Sequence, residues 1–192
     1  MLLPNYLINL CPLNMKCKCF DKNVSFKPTD SFNIRLNKSK CCCTSRFTVE
    51  ERKSSFSICC STTRFVDKYK IDGYFDSDTT HKKCDYLFIY HHTNRDTFIF
   101  VELKGEDIKR AFKQLDNTIS IFDKEKFFAG MKGFELIGAI VFTRNPADDA
   151  TIRKLKKGIY EKFKKYNLQI ESKKFNMRYD PRRNKFLGIK EK

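Results

Sequence analysis

The sequence predicts an α/β domain: a mixed central sheet of four to five strands flanked by helices. Three observations lead there. Short apolar runs alternate along the chain with longer stretches of helical periodicity, so strands and helices interleave. The run Thr97-Phe98-Ile99-Phe100-Val101 is apolar on both of its alternating faces, as in a strand covered from both sides. A chain of 192 residues, 41% hydrophobic and holding 19 Phe, has the size and the core material of one ordinary domain.

Residues 1–60 form a Cys-rich, basic N-terminal region without a clear pattern. Within it, Thr48 followed three residues later by Glu51 reads as the start of a short helix. Arg64 to Phe75 alternates like a strand, with Asp72-Gly73 marking a bend. Cys84 to Tyr90 and Thr97 to Lys104 are the next two strands, joined by a hairpin turn over His91 to Asp96. His91 and His92 read as loop residues. Glu106 to Phe122 is a helix, its stripe being Ile108, Ala111, Phe112, Leu115, Ile119 and Phe122. Leu136 to Thr143 is nearly continuous in apolar residues and reads as a buried strand. Asn145-Pro146 caps a second helix reaching about Tyr166, with an inner stripe of Ile152, Leu155, Ile159 and Phe163. Leu168 to Tyr179 reads as a fifth strand. The organisation is therefore residues 1–60, a domain over 61–179, and a loosely ordered basic tail over 180–192.

The formal net charge is +16 and is segregated. Residues 1–60 carry 10 Lys+Arg against 4 Asp+Glu, residues 61–150 carry 14 against 15, and residues 151–192 carry 15 against 4. Basic flanks around a neutral centre call for a polyanion, and nucleic acid is the commonest one. Lys109, Arg110 and Lys113 on the first helix, with Lys154 and Lys157 on the second, are the candidate phosphate contacts. A membrane partner is disfavoured: no run reaches the roughly 18 apolar residues of a span, and the basic helix lacks a wide apolar face. Met1 to Leu13 has no basic start and no small-residue cleavage site, so an intracellular, cytoplasmic location is expected. The nine cysteines then read as reduced, buried thiols. A zinc site built from Cys17, Cys19 and Cys41–Cys43 is the rarer alternative, since no CxxC pair is present.

Chemistry concentrates at three charges. Folding the hairpin between Thr93 and Asn94 makes partners sum to 187, which sets Asp85 opposite Glu102. Like charges in directly opposed positions are destabilising. A divalent cation would compensate them, with Lys104 on the same strand face as Glu102. The alternative is a solvated sheet end where Lys104 pairs with either acid.

Asp on the second strand, Glu-x-Lys ending the third and a helix directly after resemble the PD-(D/E)xK nuclease superfamily, the restriction-endonuclease-like fold. The resemblance covers about residues 64–145. It implies Asp85 and Glu102 as catalytic metal ligands, the Leu103 carbonyl as a main-chain ligand, and Lys104 as the catalytic lysine. Gln114 matches a polar helix residue that faces the site in many members, and Cys84 replaces the motif's Pro. Glu50 or Glu51 would supply the acid that some members carry on a preceding helix. The resemblance implies Mg²⁺ (or Mn²⁺) as cofactor, phosphodiester hydrolysis in DNA as activity, and a homodimer where two strands are cut. A non-catalytic nucleic-acid-binding module on the same fold is the second expectation. An interaction protein whose lysines meet an acidic protein partner is the third.

Overall fold

In the computed structural model the residues described are 22–26, 34–40, 46–59, 66–72, 82–91, 95–104, 107–124, 128, 133–143, 150–162 and 166–189. For 22–26, 34–40, 46, 67, 104, 124, 166 and 172 the description covers the backbone alone. The chain is α/β, mostly strands, with two helices among the described residues. In order these are β1 (Lys22–Phe26), β2 (Ile34–Lys40), β3 (Arg46–Glu51), β4 (Ser54–Cys59), β5 (Val66–Lys70), β6 (Tyr86–His91), β7 (Asp96–Lys104), α1 (Ile108–Lys124), β8 (Phe134–Phe142), α2 (Ala150–Lys162), β9 (Tyr166–Ser172), β10 (Lys174–Asp180) and β11 (Lys185–Ile189).

The main sheet runs β1-β2-β5-β6-β7-β8-β9. It is mixed, as expected: β5, β6 and β7 are antiparallel neighbours, whereas β7, β8 and β9 are parallel. Seven strands replace the expected four to five. The two extra strands, β1 and β2, come from the stretch that lacked a readable pattern.

β7 is covered on both faces, as its apolar run requires. Phe98 and Phe100 join a core with Ala111, Phe112, Leu115, Ile119 and Phe122 of α1 and Ile152 and Ile159 of α2. Ile99, Val101 and Leu103 join a second core on the opposite face. That second cover corrects an expectation: among the described residues, helices flank one face only. A four-stranded sheet, β11-β10-β4-β3, packs on the other through Phe47, Val49, Phe56, Ile58, Phe175 and Met177. Apolar area is buried equally well by a sheet, so the two-sided run of β7 does not choose between covers.

Three local readings change with this second sheet. Thr48 to Lys53 is not a helix start. It is the end of β3 and a two-residue turn into β4, with Arg52 left-handed at φ 54°. The expected fifth strand is two strands in different sheets, split at Lys173, which is left-handed at φ 57°. Its N–H donates to the Phe142 carbonyl of the main sheet, and its carbonyl accepts from Ser55 of the second. The tail is not loose over residues 185–189. β11 pairs antiparallel with β10, placing Phe186 in the core at 2% exposure.

α1 begins at Ile108, later than expected. Asp107 caps α1, its Oδ1 accepting from Arg110 N at 3.0 Å. Asn145-Pro146, Phe163 and His92 lie outside the described residues, as do Cys17, Cys19 and Cys41–Cys43. His91 ends β6 and meets Asp96 across the ladder, Nδ1 to Oδ1 at 3.1 Å.

One buried hydroxyl ties α1 to the chain entering β6. Thr118 Oγ1 accepts from Cys84 N at 2.8 Å and donates to the Gln114 carbonyl at 2.8 Å. Thr118→Val keeps the volume but strands the buried Cys84 N–H, at a cost of about 1–3 kcal/mol. Urea unfolding should show that loss for Thr118→Val and recovery of most of it in Thr118→Ser.

Candidate functional site

The hairpin register is as expected up to Tyr86 paired with Val101, a sum of 187, and the ladder ends one residue short of Asp85 and Glu102. Regular pairing stops there because the chain bends at Asp85. Asp85 N still donates to Val101 O at 3.1 Å, and its own carbonyl accepts from Ile71 N at 2.9 Å. Its carboxylate takes over as ladder acceptor, Oδ2 receiving Leu103 N at 2.7 Å. Asp85 is thus held at both main chain and side chain, 8% exposed.

Glu102 shares its strand face with Phe98 and Phe100, so it points to the α1 side and is fully buried. A carboxylate there is costly without partners. Gln114, on α1 and 4% exposed, donates from Nε2 to Glu102 Oε2 at 3.3 Å and to the Lys83 carbonyl at 2.7 Å. Its Oε1 is buried without a hydrogen bond, an acceptor that a cation or an ordered water would satisfy. Gln114 and Glu102 therefore meet on the α1 side, while the Asp85 carboxylate is engaged by Leu103 N. The backbone of Lys104 completes β7 opposite Phe142, while its side chain lies outside the described residues. Leu103 is buried on the far face, and its N–H is spent on Asp85.

The acids leave an electrostatic signature on their neighbours. Burial first, then the charge of Glu102 and more weakly that of Asp85, push the Cys84 thiol well above its ordinary 9.0, against a hydrogen bond with Thr118 that pulls it down. Burial, then Asp85, then Glu51 raise the Tyr86 phenol above 10.0. Glu51 acts from β3, not from a helix, and is exposed; Glu50 is exposed as well.

Among the described residues no group of three His, Cys, Asp or Glu side chains is placed to hold a metal ion. The oxygen-bearing groups of this stretch are the Asp85 and Glu102 carboxylates, the Gln114 amide and the Lys83 carbonyl. Hard oxygens of that kind, one or two carboxylates completed by water and phosphate, suit Mg²⁺.

The basic residues divide. Lys109 and Lys113 of α1 and Lys154 of α2 line one cleft of about 530 Å³ between the helices, over a floor of Phe112, Leu155 and Ile159. Both helices follow adjacent parallel strands, so the cleft starts at the sheet end that carries Glu102. Lys162 closes its far end, donating to Asp116 Oδ1 and Ser120 Oγ, each at 2.7 Å. Arg110 and Lys157 do not line the cleft. Arg110 follows the Asp107 cap, and Lys157 faces Glu161 at 3.7 Å on the exposed side of α2. The α1 N-terminus is less open to phosphate than its position suggests, because Asp107 takes one of its amides. The site residues missed in sequence were Thr118, Cys84 as a charge-sensing thiol, and the Lys83 carbonyl. Gln114 and Thr118 are four apart on one helix, a spacing that puts both on one face.

No family model, no curated protein and no solved structure matches this chain. Among the described residues no helix is long and apolar enough to cross a membrane.

The thiol gives a pH test with a definite sign. Below pH 9 the Cys84 proton is held in both the folded and the unfolded chain. Above it the unfolded chain releases the proton and the folded one keeps it, so stability falls until the folded pKa is passed. The wild type should lose stability relative to Cys84→Ala between about pH 8 and pH 10, by at most about 1.4 kcal/mol per pH unit. Parallel urea-unfolding profiles for the two proteins over that range would refute the assignment.

Proposed function

We propose that this protein is a metal-dependent nuclease, acting inside the cell on phosphodiester bonds of nucleic acid, DNA in the first instance. One observation carries the reading: two buried acids on adjacent strands, one step beyond the last regular pair, with Gln114 donating to one of them. The resemblance to the PD-(D/E)xK nucleases assigns those same positions. It supports a restriction-endonuclease-like core within the mixed sheet, and on duplex substrates a homodimer.

Asp85 and Glu102 would hold Mg²⁺ (or Mn²⁺), with the Leu103 carbonyl as a third donor. When bound, such an ion neutralises charge developing on the phosphate and makes a water molecule more acidic. The protein's own groups do the rest. Gln114 fixes the rotamer of Glu102. The main chain of Val101 and Leu103 fixes Asp85. The Lys104 ammonium orients the attacking water or steadies the charge on the phosphate oxygens. Water adds to phosphorus, the bond to one sugar oxygen breaks, and that oxygen leaves with a proton. By the resemblance, the new phosphate end is 5′. Lys109, Lys113 and Lys154 would hold the strand along the cleft between α1 and α2.

A second reading, a nucleic-acid-binding module without catalysis, is favoured by a specific feature. Asp85 caps Leu103 N and Glu102 is held by Gln114, so the protein's own groups already engage both acids.

Incubation of plasmid, single-stranded DNA and RNA with Mg²⁺ or Mn²⁺ separates the two. The nuclease reading expects metal-dependent cleavage, reduced roughly 100-fold or more in Asp85→Ala, Glu102→Gln and Lys104→Ala. Retained binding with no cleavage of any substrate would leave the module. Either reading expects steep salt dependence. Replacing Lys109, Lys113 and Lys154 together by Ala should lower the slope of log K against log salt by about 2 to 3, the share of three phosphate contacts.

A further inference from the structure

α2 presents two basic faces, and the cleft accounts for one of them. Lys154, Gly158 and Lys162, spaced by four, line the cleft. Arg153, Lys156, Lys157 and Tyr160 recur at the spacings of a second helical face. On that face stands the one exposed large hydrophobic side chain among the described residues, Tyr160, 63% exposed. With Lys156, Asn167 and Leu168 it lines a shallow pocket of about 350 Å³ beside β9, the edge strand of the main sheet.

An exposed phenol ring among cations needs an occupant that brings a flat apolar face and negative charge together. A nucleobase on its phosphodiester backbone meets both demands, because every base has a face that stacks on an aromatic ring. The base must be unpaired, since stacked pairs in a duplex do not offer their faces. Arg153 lies about 5 Å of helix rise from Lys156 and Lys157, so phosphates flanking the base meet cations along the same face. Asn167 contributes an amide that can both donate to and accept from a base edge.

We infer that Tyr160 is a stacking platform for an unpaired base of single-stranded nucleic acid, with Arg153, Lys156 and Lys157 along the adjoining phosphates. The inference deepens the proposed function by naming the strandedness of the ligand. It rests on the polyanion part of that proposal and not on chemistry at Asp85 and Glu102.

The test is equilibrium binding in EDTA, where cleavage plays no part. Fluorescence anisotropy compares a single-stranded oligonucleotide, the same strand with abasic residues, and a duplex of equal length. The wild type should prefer the intact single strand to the abasic one. Tyr160→Ala should weaken intact-strand binding about 5- to 100-fold and leave abasic-strand and duplex binding unchanged. Tyr160→Phe should bind as the wild type does. Unchanged intact-strand affinity in Tyr160→Ala overturns the inference. So does an equal loss on intact and abasic strands, or a wild type indifferent to the bases, which is what a surface for an acidic protein would show. Failure of cleavage with Tyr160-dependent binding intact would count against the nuclease reading alone.

Discussion

A slip of one residue between β6 and β7 would turn Glu102 from the α1 core to the second-sheet core and send Val101 and Leu103 the other way. Both faces of β7 are buried, so neither could take the exchange without stranding a charge or opening a void. That register is the constraint on which the rest of the site depends. It brings Glu102 under Gln114 and leaves Leu103 N for the Asp85 carboxylate to cap. The bend at Asp85 follows. The chain leaves the ladder there, and a side-chain oxygen stands where the next main-chain acceptor would have been.

α1 then acts as a clamp on the same corner. Ala111, Leu115 and Phe122 bury its apolar stripe, and polar groups interrupt that stripe at Gln114 and Thr118. Buried polar residues on a helix stripe weaken packing unless each finds a partner. These two do: Gln114 reaches the Lys83 carbonyl and Glu102, and Thr118 takes Cys84 N. The result fixes the three residues preceding β6 as firmly as the strand itself. The pKa values of Cys84 and Tyr86 are raised, first by burial and then by the charge of the neighbouring acids.

The hairpin register was legible in the sequence because a short turn between two apolar runs has a midpoint, and pairing follows from it by counting. α1 and the buried β8 were legible for a similar reason: long runs with a single periodicity leave few alternatives. The second sheet was not. β4 reads Ser-Ser-Phe-Ser-Ile-Cys, whose alternation is real but short, and β3 closes with a capping pattern that tertiary pairing overrode. The break between β9 and β10 falls at Lys173, a residue with no intrinsic preference for a left-handed φ. Hydrogen bonds to both sheets hold it there, and those bonds exist only once both sheets do. Of the site, the face of Glu102 followed from strand spacing, and Gln114 was named through the resemblance. The Asp85-to-Leu103 bond was not, because it depends on where the ladder stops.

The basic surface follows the same division. Lysines 45 residues apart in sequence, Lys109 and Lys154, meet across one cleft because β7 and β8 are parallel neighbours and each is followed by a helix. Parallel strands put both helix starts at the sheet end where Glu102 sits. Arg110 and Lys157, equally basic, point elsewhere because helical rotation carries them about 100° per residue from their neighbours. Charge count alone therefore overstates the footprint of a basic helix. What selects the contacts is which cations the packing of α1 against α2 turns toward a shared opening, and in α2 that selection leaves a second face whose exposed ring gives it a different chemistry from the first.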